Sequence, residues 1–234
     1  MIASVWRAVY YARQPLHLRW ELYPVPHEHP ERVGHGGSYF EEVDWWTKPS
    51  KFYWVTELKF MIPEMLFLKG LWEFNRPLWF RSFPFHFGLY LLMGAVGLLV
   101  LSALAAIAQP GVMQGPAGAA FTALFTLSGA AGAVLAMAGA LGLLLRRLRD
   151  PALRNYTAPG DIFNLAFFLA ALGTMTAGYL LRGTDYPGTL ALTKALLTLD
   201  AGVRIPGLLA AGLVLISLLA AYIPMTHMSH FVAK

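Results

Sequence analysis

RIPGLLAAGLVLISLLAAYIPMTHMSHFVAK, residues 204 to 234, carries no charge between Arg204 and Lys234 and closes with Pro224, His227 and His230. A run of this length and apolarity meets the requirement for crossing ~30 Å of hydrocarbon at ~1.5 Å of rise per residue. Working backward by the same criterion gives three more spans. The spacing predicts crossings at about residues 84 to 108, 117 to 145, 161 to 182 and 205 to 230. The first begins FPFHFGLYLL, so His86 opens the earliest span while His227 and His230 close the last. The fold class expected is therefore an all-α integral membrane protein with four full transmembrane helices.

Composition agrees. Of 234 residues, 57% are hydrophobic and 13% charged, against about 25% charged in ordinary soluble domains. The chain has no cysteine, which excludes structural disulfides and any iron–sulfur cluster held by its own thiolates. Its formal charge of +5 gathers beside the predicted spans, so it reads as a topology signal. It does not resemble the strongly basic polar surface of a nucleic-acid binder.

The chain divides at about residue 82. Residues 1 to 13, MIASVWRAVYYAR, are too short to span and lack the small-residue cleavage site of a signal peptide; they read as an interfacial or partial helix. Residues 14 to 56 hold Pro15, Pro24, Pro26, Pro30 and Pro49 among charges, which forbids a long helix and predicts a surface loop. His27, His29 and His35 in that loop lack a clear fourth metal ligand and read as solvated. The aromatic, lysine-bearing stretch from Trp54 to Trp79, interrupted by Pro63, reads as an interfacial segment. Residues 83 to 234 form the membrane domain.

Links between spans differ in charge. QPGVMQGP has none, RRLRDPALRNYTAPGD holds Arg146, Arg147, Arg149 and Arg154, and the third link is mixed. Excess Lys and Arg marks the cytoplasmic side of a prokaryotic inner membrane, which places the amino-terminal loop, the second link and the carboxyl end inside. An even number of crossings then returns His227 to the surface from which His86 departs. Ionisable residues at the edge of a span are costly unless used. Two neutral imidazoles meeting there can ligate one haem iron from both faces, giving a one-electron centre with no open coordination position.

On an uninterrupted helix His227 and His230 lie roughly 60° apart in rotation and about 4.5 Å apart along the axis. The bend expected at Pro224 favours His227 as the second ligand and leaves His230 to a supporting, quinone-site or interface role. Gly88, two positions after His86, would let a flat macrocycle approach the backbone. Arg76, Arg81 and Arg154 are candidates to pair with haem propionates, or else plain anchors at the charged surface. In the second span Gly129, Gly132, Ala136, Gly139 and Ala140 read as a close helix-packing face.

Three motifs, FPFHFG, RRLRDPALRNYTAPGDIFNL and YIPMTHMSHF, together resemble the gamma subunit of respiratory nitrate reductase. They resemble still more its relatives in sulfite- and sulfate-linked or electron-transfer-flavoprotein-linked complexes. The likeness covers about residues 76 to 234, and YARQPLHLRWELYPVP is similar to the segment after the first helix of those relatives. It implies a five-helix cytochrome b subunit of a hetero-oligomeric complex. Such a subunit exchanges electrons between membrane quinone, menaquinone above all, and a cytoplasmic heterodisulfide-reductase-like iron–sulfur subunit or a flavoprotein. By motif, His86 stands at the first family ligand and His227 at the last.

There are departures from that pattern. The family's second haem ligand lies ten residues after the first, where this chain has Val96, and no histidine lies around Pro206 to Leu209. One haem b is therefore expected. The family's first helix is absent or reduced to residues 1 to 13, and the chain stops at Lys234 where relatives usually continue. With a single haem near the inner face, a quinone pocket is expected in the Trp54 to Trp79 stretch, with Glu57, Lys59, Glu64 and His230 as proton-exchanging groups. An outer site around Arg182, Asp185, Tyr186 and Lys194 would apply if a second redox centre existed. A haem-free membrane anchor is the main rival. A transporter subunit is a weaker one, because no span carries a charge between its ends.

Overall fold

The computed structural model describes residues 54–226, together with Val5, Trp6, Val9, Tyr10, Arg13 and Thr47. The loop histidines His27, His29 and His35, and the terminal His227 and His230, lie outside the described residues, as does the side chain of Glu57. Within this range the order is α1 (Trp54–Phe67), α2 (Lys69–Phe74), α3 (Arg76–Ala108), α4 (Pro116–Arg149), a 3-10 turn (Pro151–Tyr156), α5 (Pro159–Leu180), α6 (Thr189–Thr198) and α7 (Gly207–Tyr222). A second 3-10 turn comes next at Ile223–Met225, and no strand occurs among the described residues. Described residues within Val9–Trp79 form one compact unit, and those within Phe80–Lys234 belong to the other.

α3, α4, α5 and the stretch from Gly207 to Met225 are long and apolar enough to cross a membrane. Their boundaries reflect local chemistry. α3 begins at Arg76, well ahead of the start expected near Pro84, because the Asn75 carboxamide accepts the Leu78 amide at 3.2 Å and caps the helix there. Pro84 is carried inside it. α4 and α5 each open with proline at the first helical position, and α4 ends on Arg146, Arg147 and Arg149, which favour the negative end of the helix dipole. α7 is shorter than the expected span. Its α-helix stops at Tyr222, since Pro224 cannot supply an amide to the ladder, and Thr226 is extended. The third link also contains a helix not expected from its mixed composition, α6, where Leu192 and Ala195 are buried.

The bundle packs by close backbone approach. A Cβ on Gly139 would collide with the Phe85 backbone, and one on Gly178 would lie 2.6 Å from the Leu209 Cα. One on Gly212 would lie 2.6 Å from the Met175 Cα. α3 and α4 run antiparallel, as do α5 and α7. A single cluster of Phe85, Ala136, Ala140, Phe168, Ala171, Leu172 and Leu219 ties all four together. Outward, Met93, Leu101, Leu127, Val134 and Val214 are exposed. That surface suits lipid, where association relies on small-residue contacts in place of a water-driven core.

At the charged end, Arg147 Nη1 donates to Asp161 Oδ2 at 3.1 Å, and the same oxygen accepts the Ala158 amide at 3.0 Å. Asp161 thus joins α4 to the start of α5. Replacing it by alanine is expected to cost about 1–2 kcal/mol, by loss of the cap and of a half-buried ion pair. Reversible unfolding of D161A in detergent checks this.

Candidate functional site

His86 lies half-buried on α3. Its Nδ1 is 2.8 Å from the Ser82 carbonyl and 3.3 Å from the Ser82 hydroxyl, one turn back on the same face. A carbonyl can only accept, so the short contact fixes the proton on Nδ1 and makes Nε2 the basic nitrogen. This is the arrangement in which backbone oxygens orient metal-ligating histidines. The ring packs edge-on against Phe85 at 5.3 Å, and Phe85 meets Phe168 of α5 at 5.0 Å.

That aromatic contact sets the level of the site. Phe85, Phe168 and Leu219 share one cluster, so His86 stands level with about Leu218 and Leu219 on α7. These two residues precede Thr226 by about two turns. The 60° offset between His227 and His230 requires a helix running through both, and the preference for His227 requires that helix to bend at Pro224, whereas the α-helix ends at Tyr222. Helical geometry therefore does not choose between them.

Gly88 is buried, and its missing side chain makes room for α4. A Cβ there would clash with the Ala136 amide nitrogen and lie 2.7 Å from the Gly132 carbonyl oxygen. The space expected for a flat ring beside Gly88 is filled by helix backbone, so Gly88 serves packing and leaves the set of cofactor contacts. Gly132, Ala136, Gly139 and Ala140 are buried on α4, which accounts for that span's small-residue face.

Arg81 is half-buried on α3, five residues before His86, with its stem against Gly142. Arg154 is exposed on the 3-10 turn. Arg76 lies over the Trp72 ring at 4.7 Å, a cation–π contact. Glu64 accepts the Gly70 amide at 2.9 Å across the left-handed break at Leu68, so it caps α2. Lys59 is exposed. In the third link Arg182 stacks on Tyr179 at 3.9 Å and donates to its carbonyl. Asp185 and Tyr186 are exposed and Lys194 is half-buried. Among the described residues no three His, Asp or Glu side chains gather into a metal-binding group.

The bundle also holds a buried polar pair that sequence reasoning does not find. Asn164 on α5 is 5% exposed, and the Tyr222 hydroxyl donates to its Oδ1 at 2.9 Å across to α7. Phe163 and Phe167 flank Tyr222 edge-on at 5.7 and 5.9 Å. Whichever way the carboxamide is turned, one end meets Tyr222 and the other has no hydrogen-bond partner among the described residues. The only signal in the sequence is an amide inside the apolar run IFNLAFF. A search for charges alone does not register it.

Fold and surface together define an all-α, multi-pass membrane protein. Compared with protein-family models, with curated proteins and with solved structures, the chain matches none.

Proposed function

We propose that this chain is a membrane cytochrome b subunit that binds one haem b through His86 and carries electrons between the quinone pool and a cytoplasmic iron–sulfur or flavin subunit. The observation that supports it most directly is His86 itself, with Nδ1 held by the Ser82 carbonyl, which makes Nε2 the basic nitrogen, beside the Phe85–Phe168 contact. The end of the buried Asn164 carboxamide that has no partner among the described residues fits a polar group brought by a cofactor. Bound haem would supply a one-electron couple. His86 fixes its place on α3, Phe85 and Phe168 keep water from that level, and His227 or His230 is the second ligand. A bis-histidine centre at this level requires the chain beyond Thr226 to lead one of them back toward Leu218. Menaquinone as electron partner, and a heterodisulfide-reductase-like subunit as neighbour, rest on the family resemblance. A reduced-minus-oxidised spectrum of purified protein tests the haem. Absence of a b-type band would leave the haem-free anchor.

The proposed orientation in a prokaryotic inner membrane places the Arg146–Arg154 link in the cytoplasm, on the side that excess positive charge favours. The lack of native cysteine makes this simple to check. Val112→Cys in the first link is expected to react with a membrane-impermeant maleimide on spheroplasts. Tyr156→Cys, at a position 80% exposed, is expected to react only after permeabilisation. The reverse pattern would invert the topology.

A further inference from the structure

We propose that Asn164 and Tyr222 form the site for a propionate carboxylate of the haem whose iron His86 holds; this rests on the haem reading above. An unpaired buried amide costs about 1–3 kcal/mol. Asn164 has one such end among the described residues, and its position suits a carboxylate. It lies one turn from Phe168 on the same face of α5, and Phe168 touches Phe85, the neighbour of His86. α3 and α5 run parallel, so Asn164 stands ~7.5 Å from the level of His86 along the bundle, toward the arginine-rich end. Arg81, five residues before His86, reaches the same level on α3. Tyr222 brings α7 to that point. Three helices thus bring an amide, a phenol and a guanidinium to about one level. Hydrogen-bond donors and a cation are what a carboxylate needs on leaving water. The Asn164 amide donates to the carboxylate. Tyr222 orients that amide by bonding its oxygen.

The test separates this role from that of an interhelical bond, which alone would affect stability only. Asn164→Leu and Tyr222→Phe are made in the full chain, in its native membrane complex, and the haem midpoint potential is titrated beside thermal stability. Loss of a donor concentrates negative charge on the propionate, which favours ferric over ferrous iron. N164L is therefore expected to retain haem with a lowered potential. At the wild-type midpoint, oxidised haem should exceed reduced by about tenfold, equivalent to ~59 mV for one electron. Y222F should shift the same way by less. Should N164L fail to accumulate, the propionate bending mode in resonance Raman spectra of Y222F and Asn164→Thr is read instead, with a frequency change expected. Unchanged potentials or frequencies, with only stability lost, overturn the proposal. A wild-type protein without haem overturns the function reading itself, a separate result.

Discussion

His86→Leu is expected to abolish the b-type absorbance of the purified protein while leaving the chain in the membrane. The side chain is half-buried and packs edge-on against Phe85, an apolar contact that leucine can keep. Loss of the haem band should be complete, because an axial imidazole cannot be replaced by a hydrocarbon. His227→Ala and His230→Ala, made singly, name the second ligand. The ligand variant should lose the low-spin spectrum and the other should keep it. A wild-type b-band that persists in H86L would remove His86 from the site, and with it the propionate role of Asn164.

Gly88→Leu is expected to have the largest effect on folding, about 3 kcal/mol or more, because its Cβ would enter the backbone of α4 at Gly132 and Ala136. No flexible side chain is present there to yield. Gly139→Leu should behave alike, since it meets the Phe85 backbone from the other side. Gly94→Ala and Gly97→Ala provide the contrast. A Cβ at either position meets nothing within 4 Å, so changes should stay within about 0.5 kcal/mol. Unfolding of the four variants by SDS titration in mixed micelles separates the two pairs. Equal effects at Gly88 and Gly94 would mean that the α3–α4 approach is not what holds these helices.

Much of this architecture is set by composition and run length. Four uncharged stretches long enough for hydrocarbon, and a link carrying Arg146, Arg147, Arg149 and Arg154, are properties of consecutive residues, and a membrane imposes one solution on them. His86 is legible as well, because an imidazole in an apolar run is exceptional by itself. Gly88 in sequence suggests a cofactor contact, yet a glycine shows only that something comes close. Whether that neighbour is a ring or another backbone depends on the facing helix.

Other features depend on contacts remote in sequence. Pro84 is tolerated inside a helix held along α4. Asn164 and Tyr222 are 58 residues apart; neither is unusual alone, and only the antiparallel register of α5 on α7 makes them a pair. The sequence by itself determined that the chain enters a membrane, how many times it can cross, and which imidazole stands out. Tertiary structure decided which residues share a level, that Gly88 belongs to packing, and that a buried amide waits beside the histidine's layer. The reason is physical: transfer into hydrocarbon is a property of each segment, whereas register and burial of polar atoms arise only when segments meet.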